Sequence, residues 1–299
     1  MNIIRYYKIF FVFSAILVLA SIISLFIFGL RFGIDFTGGS LLEVQFQEKV
    51  PSFSEIKNTL EKLDLGKLTI QPAGSKSVIV RLKDVDEETH QKILKEIGQL
   101  GDFEEKRFES IGPVIGSELK RRACWAIGFA LVAIVFYVAW AFRKVSRPVA
   151  SWRYGIAALV ALFHDVMITI GVFSVLGHFY QVEIGLSFVA ALLTILGYSV
   201  NDSIVVFDRL RENLLKFSWD NFQETVKVSI RQTIMRSINT SLTTLLVLFA
   251  IYFFGGETIK HFVLALIIGI TAGTYSSIFI ASPLLIIWER RRFRNLMAK

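Results

Sequence analysis

Long apolar runs alternate with polar segments along this chain of 299 residues. Six runs, at 9–30, 123–142, 154–176, 184–207, 237–254 and 262–288, reach the roughly 18 to 20 apolar residues that cross a bilayer. The first contains Val18-Leu19-Ala20, a pattern typical of signal-peptide cleavage, but it continues to Leu30, which favours an uncleaved anchor. The pattern predicts an α-helical polytopic membrane protein with six transmembrane helices.

A polar segment, residues 31–122, separates the first run from the second. Its apolar positions predict strands at 40–47, 67–71, 77–82 and 102–108, and helices at 52–63 and 86–97. Ser52 and Glu55 form a capping-box pattern at the start of the first of these helices. The order β-α-β-β-α-β predicts one ferredoxin-like α+β domain between transmembrane helices 1 and 2, a fold that specifies no function.

Positive charge is concentrated in particular loops. Loop 143–153 has four Lys and Arg residues, loop 208–236 has six and the segment 289–299 has five, whereas loops 177–183 and 255–261 have none and one. Because cytoplasmic loops are enriched in Lys and Arg, both termini are predicted to be cytoplasmic and the domain extracytoplasmic. The basic residues that give the chain its net charge of +8 then lie mainly on the cytoplasmic face, where they contact anionic lipid. This distribution does not indicate nucleic-acid binding.

These patterns predict four divisions of the chain. They are an N-terminal tail with helix 1 (1–30), the extracytoplasmic α+β domain (31–122), transmembrane helices 2–6 (123–289) and a basic cytoplasmic tail (290–299). The single Cys124 and four scattered histidines have no metal-ligand spacing, and no glycine-rich segment ends in the Gly-Lys-Ser/Thr of a phosphate loop. We therefore expect no metal site, no cofactor and no catalytic residue, and a protein that is not an enzyme.

The fourth apolar run contains Asn201 and Asp202 side by side. A charged group there costs about 2.5–3.5 kcal/mol on insertion scales, so it indicates a functional site or a partner inside the bundle. Arg236 stands just before the fifth run, at the predicted cytoplasmic start of that helix and at a similar predicted depth, and the polar residues Asn239, Thr240, Thr243 and Thr244 follow it. One interpretation makes Asp202 a proton carrier, with Arg236 and Asn201 beside it. The other is a static polar network that only holds helices together.

The third run contains a second aspartate, Asp165, preceded by His164. This pair is either a second proton-relay point or a structural hydrogen bond between helices. Two intramembrane aspartates also raise the alternative of an intramembrane aspartyl protease. That alternative is disfavoured because Asp202 lacks a Gly-x-Gly-Asp context, and because helical rise predicts a depth difference of about 10 Å between Asp165 and Asp202.

Five motifs in order resemble the SecF family. They are GIDFTGG at 33–39, which includes Gly33, Asp35, Gly38 and Gly39, SIGPVIGSEL at 110–119, ALFHD at 161–165, LGYSVNDSIVVFDRLREN at 196–213 and INTSLTT at 238–244. SecF is the smaller partner of SecD and is similar to half of a resistance-nodulation-division transporter. The resemblance covers residues 1–295 and implies proton-handling roles for Asp202 and Arg236.

The resemblance also implies a function and partners. It implies an accessory subunit of the Sec export machinery that uses the proton gradient, with SecD, to complete the release of secreted polypeptides outside the membrane. The implied partners are SecD, SecYEG, SecA, YajC, the unfolded polypeptide and membrane lipids, in the bacterial cytoplasmic (inner) membrane. The alternatives are a proton-driven small-molecule or lipid exporter of the same superfamily and a purely structural membrane scaffold.

Overall fold

The computed structural model describes residues 6–74, 76–143, 150–216 and 222–297, with side chains up to residue 289. Its elements, in chain order, are α1 (Tyr7–Phe28), α2 (Ile34–Thr37), β1 (Gly39–Phe46), α3 (Phe53–Leu60), β2 (Thr69–Ala73), β3 (Ser77–Leu82), α4 (Glu87–Gly98), β4 (Phe103–Ile111), α5 (Pro113–Ala141), α6 (Ser151–Tyr180), α7 (Leu186–Lys216), α8 (Phe222–Phe254), α9 (Glu257–Ser276) and α10 (Ser282–Met297).

Within these described residues, six helices are long and apolar enough to span a membrane. They are α1, α5, α6, α7, α8 and the continuous helix Glu257–Glu289 that joins α9 to α10. The predicted number of transmembrane helices is confirmed. The helices extend beyond the apolar runs, since α5 begins ten residues before its run and α8 begins fifteen residues before its own.

The chain divides into two compact units. The first contains Met1–Arg31, Trp125–Val182 and Ser187–Lys299, and the second contains Phe32–Cys124 together with Glu183–Leu186. In the first unit α6, α7 and α9 are the most buried helices, whereas α5 exposes large apolar side chains such as Trp125, Phe129 and Phe136. Exposed apolar side chains on a membrane helix are suited to contact with lipid.

Small residues let the membrane helices approach closely. A methyl group at Gly171 of α6 would overlap Ser21 of α1, and one at Gly269 of α9 would overlap Ile195 of α7. Such small residues at helix contacts are typical of membrane bundles, where backbone approach replaces the hydrophobic drive of water-soluble proteins. At one end of the bundle the fully buried Tyr154 stacks on Phe142 with ring centroids 5.3 Å apart.

The helix Glu257–Glu289 contains one π-helical turn, Ser277–Ala281, between α9 and α10. The Ser282 hydroxyl donates to the Ser277 carbonyl oxygen at 3.1 Å, which satisfies a carbonyl at this turn. Single π-turns within α-helices are often found at functional sites. Here the turn directly follows Ser276, a residue of the buried polar cluster described below.

The second unit contains a four-stranded antiparallel sheet with the strand order β2-β3-β1-β4. The predicted element order, β-α-β-β-α-β, is found. Alternate residues of β3 point into a core shared with α3 and α4, as period-two patterning requires, and its fully buried members include Leu42, Val80, Ile56, Leu60 and Ile97. The capping box at Ser52 is confirmed, since Glu55 N donates to Ser52 Oγ and Ser52 N donates to Glu55 Oε2.

Two of the basic segments used to predict the orientation are not fully described by the structure. Lys144 and Arg147 of the loop after α5 lie outside the described residues, and so do the side chains of the tail 290–299. The predicted orientation of the chain in the membrane therefore stays a prediction.

Candidate functional site

A buried polar cluster in the first unit is centred on Asp165 of α6. Its side chain is 0 % exposed. The Ser199 hydroxyl of α7 donates to Asp165 Oδ2 at 2.6 Å, and the Ser276 hydroxyl at the end of α9 donates to the same oxygen at 2.9 Å. His164 Nδ1 lies 2.9 Å from the other oxygen, Oδ1. One carboxylate thus connects three membrane helices, which is how buried polar groups are normally satisfied.

His164 connects this cluster to the first helix through Tyr275. The imidazole stacks on the Tyr275 ring, with centroids 5.9 Å apart. The Tyr275 hydroxyl donates to the Phe10 carbonyl of α1 at 3.0 Å and accepts from Ser14 at 3.2 Å. His164 Nε2 is buried and has no hydrogen-bond partner among the described residues. One nitrogen of the ring is therefore held by Asp165, and the other makes no hydrogen bond within the described part of the chain.

Asp202 of α7 lies beside this cluster in a different environment. It is 3 % exposed, its polar neighbours on α8 are Ser237 and Ser241, and it is close enough to Asp165 to interact electrostatically. Within the described part of the chain, neither Asp202 Oδ2 nor the Ser237 hydroxyl has a hydrogen bond of good geometry. An unpaired buried carboxylate oxygen is costly to keep, so Asp202 is the less satisfied of the two carboxylates.

Glycines on α9 form one wall of the cluster. A methyl group at Gly273 would lie 3.0 Å from Ser199 Cβ and 3.4 Å from Asp165 Oδ2. Gly269, one turn away, allows a still closer approach of Ile195. The pair Gly269-x-x-x-Gly273 has the small-residue spacing typical of close helix packing in membranes, and it places α9 directly against the Asp165–Ser199 hydrogen bond.

The predicted contact of Asp202 with Arg236 and Asn201 is not formed in this chain alone. Both Arg236 and Asn201 are exposed, and Arg236 makes no ion pair with any described residue. The physical reason is the direction in which each side chain leaves its helix. Arg236 directly precedes the buried Ser237, and Asn201 directly precedes the buried Asp202, so each points about 100° away from that buried neighbour. Asn239, Thr240 and Thr243 are exposed as well, while Thr274 donates to the Ser241 hydroxyl at 2.6 Å.

The predicted depth difference between the two aspartates is wrong. Ser199 bonds directly to Asp165, and Ser199 precedes Asp202 by three residues, so the offset is about 4.5 Å. The error arose because depth was counted from the ends of apolar runs, whereas α6 begins three residues before its run and α7 begins two residues inside its own. The two carboxylates therefore belong to one site.

Sequence reasoning missed the serines that build this site. Ser199 and Ser203 flank Asp202 one turn apart on α7, and Ser237 and Ser241 are likewise four residues apart on α8. Two serines at that spacing on an otherwise apolar helix lie on one face, so their spacing indicated a polar helix contact. They were overlooked because serine is mildly polar and common in membrane helices.

The glycines of the 33–39 motif have their own structural requirement in the second unit. Gly38 and Gly39 adopt φ of 74° and 125°, a region that favours glycine, and a methyl group at Gly38 would lie 2.6 Å from Pro113 Cα. The chain turns tightly there, directly after a short helix, α2, that was not predicted. Elsewhere among the described residues, no group of three or more His, Cys, Asp or Glu has the geometry of a metal site.

Comparisons with known proteins identify the same family that the motifs resemble. The family model described as protein export membrane protein SecD/SecF, C-terminal, matches residues 89–291, and the SecD/SecF GG motif matches residues 23–50. The protein translocase subunit SecF of Thermobaculum terrenum is 43 % identical over 100 % of this chain and 97 % of its own length. This chain belongs to the SecF family. The SecF subunit of Desulfurispirillum indicum is also 43 % identical, over 93 % of this chain and 88 % of that protein.

Solved structures show the same architecture. The crystal structure of SecDF from Thermus thermophilus, described as a translocon-associated membrane protein, superposes with a TM-score of 0.84 at 34 % identity and covers 97 % of this chain. SecDF in a super-membrane-facing form gives 0.72 at 33 % identity over the whole chain. This chain spans only 39 % and 40 % of those two SecDF chains, so it corresponds to the SecF part.

Proposed function

We propose that this chain is the SecF subunit of a Sec export complex that, together with SecD, uses the proton gradient to complete polypeptide release. The observation that carries the proposal is the pair of neighbouring buried aspartates on α6 and α7, with four serine hydroxyls around them. Carboxylates are expensive inside a membrane, and where they persist they commonly mark proton relays. Asp202 exchanges the proton, and Asp165 with His164 forms a second relay point beside it.

The exposed polar face of α7 and α8 supports a membrane partner. Asn201, Arg236, Asn239, Thr240 and Thr243 are exposed in this chain, although each lies in a helix long enough to cross the bilayer. Such a face is unfavourable against lipid and is stabilised by another protein surface. SecD, which the SecDF neighbours carry in the same chain as SecF, is the partner that fits.

Arg236 has a role in this scheme that depends on a change of conformation. It directly precedes Ser237, whose side chain lies beside Asp202, so a rotation of α8 by up to about 100° brings the guanidinium towards the carboxylate. An arginine near a carboxylate favours its charged form, whereas withdrawal favours its protonated form. Movement of Arg236 towards and away from Asp202 is thus the switch that couples protonation to helix movement.

The second unit serves as the extracytoplasmic domain of the complex. Its β-α-β-β-α-β order and β2-β3-β1-β4 sheet support a ferredoxin-like domain, and the clustering of Lys and Arg in the other loops supports its location outside. The chain then resides in the bacterial inner membrane with both termini cytoplasmic. SecYEG, SecA and YajC act with it on the unfolded polypeptide.

The test uses membrane vesicles that contain this chain with SecD, and a secretory protein stalled midway in the channel after ATP is removed. A proton gradient is imposed and completion of translocation is followed. The native chain is expected to respond, and Asp202→Asn is expected to remove the response. Asp208→Asn, an exposed aspartate six residues further along the same helix, is the matched control and should behave as the native chain.

A second pair of variants tests the role of Arg236. Arg236→Gln is expected to lose the gradient response, and Arg231→Gln, an exposed arginine on the same helix, is expected to keep it. If Asp202→Asn completes translocation as fast as the native chain under a gradient, the aspartates are structural and the proposal fails. A gradient response in SecD vesicles without this chain would equally contradict it.

A further inference from the structure

The connection between α6 and α7 is part of the second unit. Glu183–Leu186 is compact with Phe32–Cys124, and α7 begins at Leu186, the last residue of that segment. The helix that carries Asp202 therefore starts within the unit that contains the sheet. The segment adds two covalent junctions between that unit and the membrane helices, one to α6 and one to α7, to those before β1 and after β4.

Specific contacts hold this connection. The backbone N–H of Leu186 donates to Asp35 Oδ2 at 2.7 Å, and the backbone N–H of Gly33 donates to the Ile184 carbonyl at 2.9 Å. Arg81 of β3 forms an ion pair with Glu183, with Nε and Oε2 2.9 Å apart and both side chains less than one-fifth exposed. The connection is thus fixed both to the 33–39 motif and to the sheet.

The contact between Asp35 and the start of α7 satisfies two requirements at once. The first N–H groups of a helix have no partner within the helix, and the helix dipole favours negative charge at this end. Asp35 supplies a carboxylate there from a residue that is distant in the sequence. Gly185 makes room for it, because a methyl group at position 185 would overlap Asp35 Oδ2.

We infer that Asp35 is a positioning residue that couples movement of the Asp202 helix to the sheet-containing unit. This inference rests on the proposed function, since it concerns how proton-driven movement of α7 leaves the membrane. The Arg81–Glu183 ion pair and the Gly33–Ile184 hydrogen bond prevent the connection from moving independently of the sheet. A shift or rotation of α7 is then transmitted at Leu186 instead of being absorbed by a free loop.

The first experiment measures hydrogen exchange in the first turn of α7, in the complex with SecD. Asp35→Ala removes the acceptor, and we expect exchange there to rise about tenfold, because hydrogen bonds to charged groups are the stronger ones. Asp35→Asn keeps an acceptor oxygen and should restore most of the protection. Leu186→Pro removes the same hydrogen bond from the donor side, since proline has no N–H and is tolerated at the first helical position.

The second experiment measures coupling with two fluorescent reporters, introduced by Lys62→Cys in the sheet-containing unit and by Asp208→Cys at the far end of α7, each in a Cys124→Ser background. Both positions are exposed. A pH step is applied to the reconstituted complex. In the native background both reporters are expected to respond. In Asp35→Ala, the reporter at 208 should still respond, and the reporter at 62 should lose most of its response.

The outcomes separate the two proposals. If Asp35→Ala and Leu186→Pro leave the response at position 62 intact, the coupling role of Asp35 is refuted and the proton-driven function stands. If neither reporter responds in the native complex, the proposed function is refuted and the coupling with it. Asp102→Ala, which removes an exposed carboxylate from the same unit, is the matched control and should behave as the native chain. Co-purification with SecD verifies the assembly of each variant.

Discussion

The hydrogen bonds to Asp165 give a quantitative prediction. Ser199→Ala and Ser276→Ala each remove one hydroxyl that donates to Oδ2, at 2.6 Å and 2.9 Å. Hydrogen bonds between membrane helices average about 0.6 kcal/mol with a maximum of about 1.7. Hydrogen bonds to charged groups contribute about 1.5–3 kcal/mol. Asp165 is fully buried, so no solvent can replace the donor. We therefore expect each variant to lower the free energy of unfolding by about 1–2 kcal/mol, at the upper end of the range for membrane helices.

The two substitutions should not be additive. Both hydroxyls donate to the same oxygen, Asp165 Oδ2. Each single variant leaves this oxygen with one donor, and only the double variant leaves it with none. Neighbours in one network commonly show interaction energies of about 0.5–3 kcal/mol. The double variant is therefore expected to lose more than the sum of the two single variants.

The assay is reversible unfolding of the purified chain in mixed micelles with increasing SDS, followed by tryptophan fluorescence. Ser282→Ala is the matched control, since this serine is also fully buried but its hydroxyl donates only to the Ser277 carbonyl. It should cost about 0.6 kcal/mol or less. If Ser199→Ala and Ser276→Ala lose no more stability than Ser282→Ala, the reasoning about Asp165 is refuted.

Two other changes test the helix packing of the first unit and the pH response of the second unit. Gly273→Ala places a methyl group 3.0 Å from Ser199 Cβ, so it should destabilise the bundle by about 1–3 kcal/mol in the same SDS titration, while Gly128→Ala, where the space is open, should not. Ser52→Ala removes the hydrogen bond that lowers the pKa of Glu55 below its ordinary 4.5. Because that bond stabilises the charged carboxylate, the loss of helix stability should be complete at pH 7 and should shrink as the pH falls below 4.5. Hydrogen exchange in α3 measures this stability. A stability loss that does not depend on pH would contradict the prediction.

The sequence predicted the elements of this protein better than their ends. Apolar runs mark where hydrocarbon surrounds a helix, but a helix continues as long as its backbone hydrogen bonds do. Polar residues that follow or precede a run, such as those of 222–236 in α8, are good helix formers and extend the helix without lengthening the run. In the second unit, alternation of apolar and polar residues marked β1 and β3, because half-buried strands require that pattern, and a capping box marked the start of α3.

The site was only half predictable. Asp202 and Asp165 were visible because a carboxylate in an apolar run is rare. Their partners were not, since the choice among several nearby polar residues depends on helix rotation, which an apolar run does not encode. Ser199 rather than Asn201 faces Asp165, and Ser237 rather than Arg236 faces Asp202. One residue of helical phase, about 100°, decides between a buried contact and an exposed surface.

In the proposed function, the unequal environments of the two aspartates suit them to different tasks. Asp165 is held by Ser199, Ser276 and His164, so a change in its protonation disturbs contacts with side chains on two other helices. Asp202 has an unpaired oxygen and lies next to the exposed face that carries Arg236, so it can exchange a proton with little rearrangement. A carrier must release as readily as it binds, whereas a relay point or anchor must hold its geometry. Within the proposed function, this difference favours Asp202 as the proton carrier and Asp165 as the fixed relay point beside it.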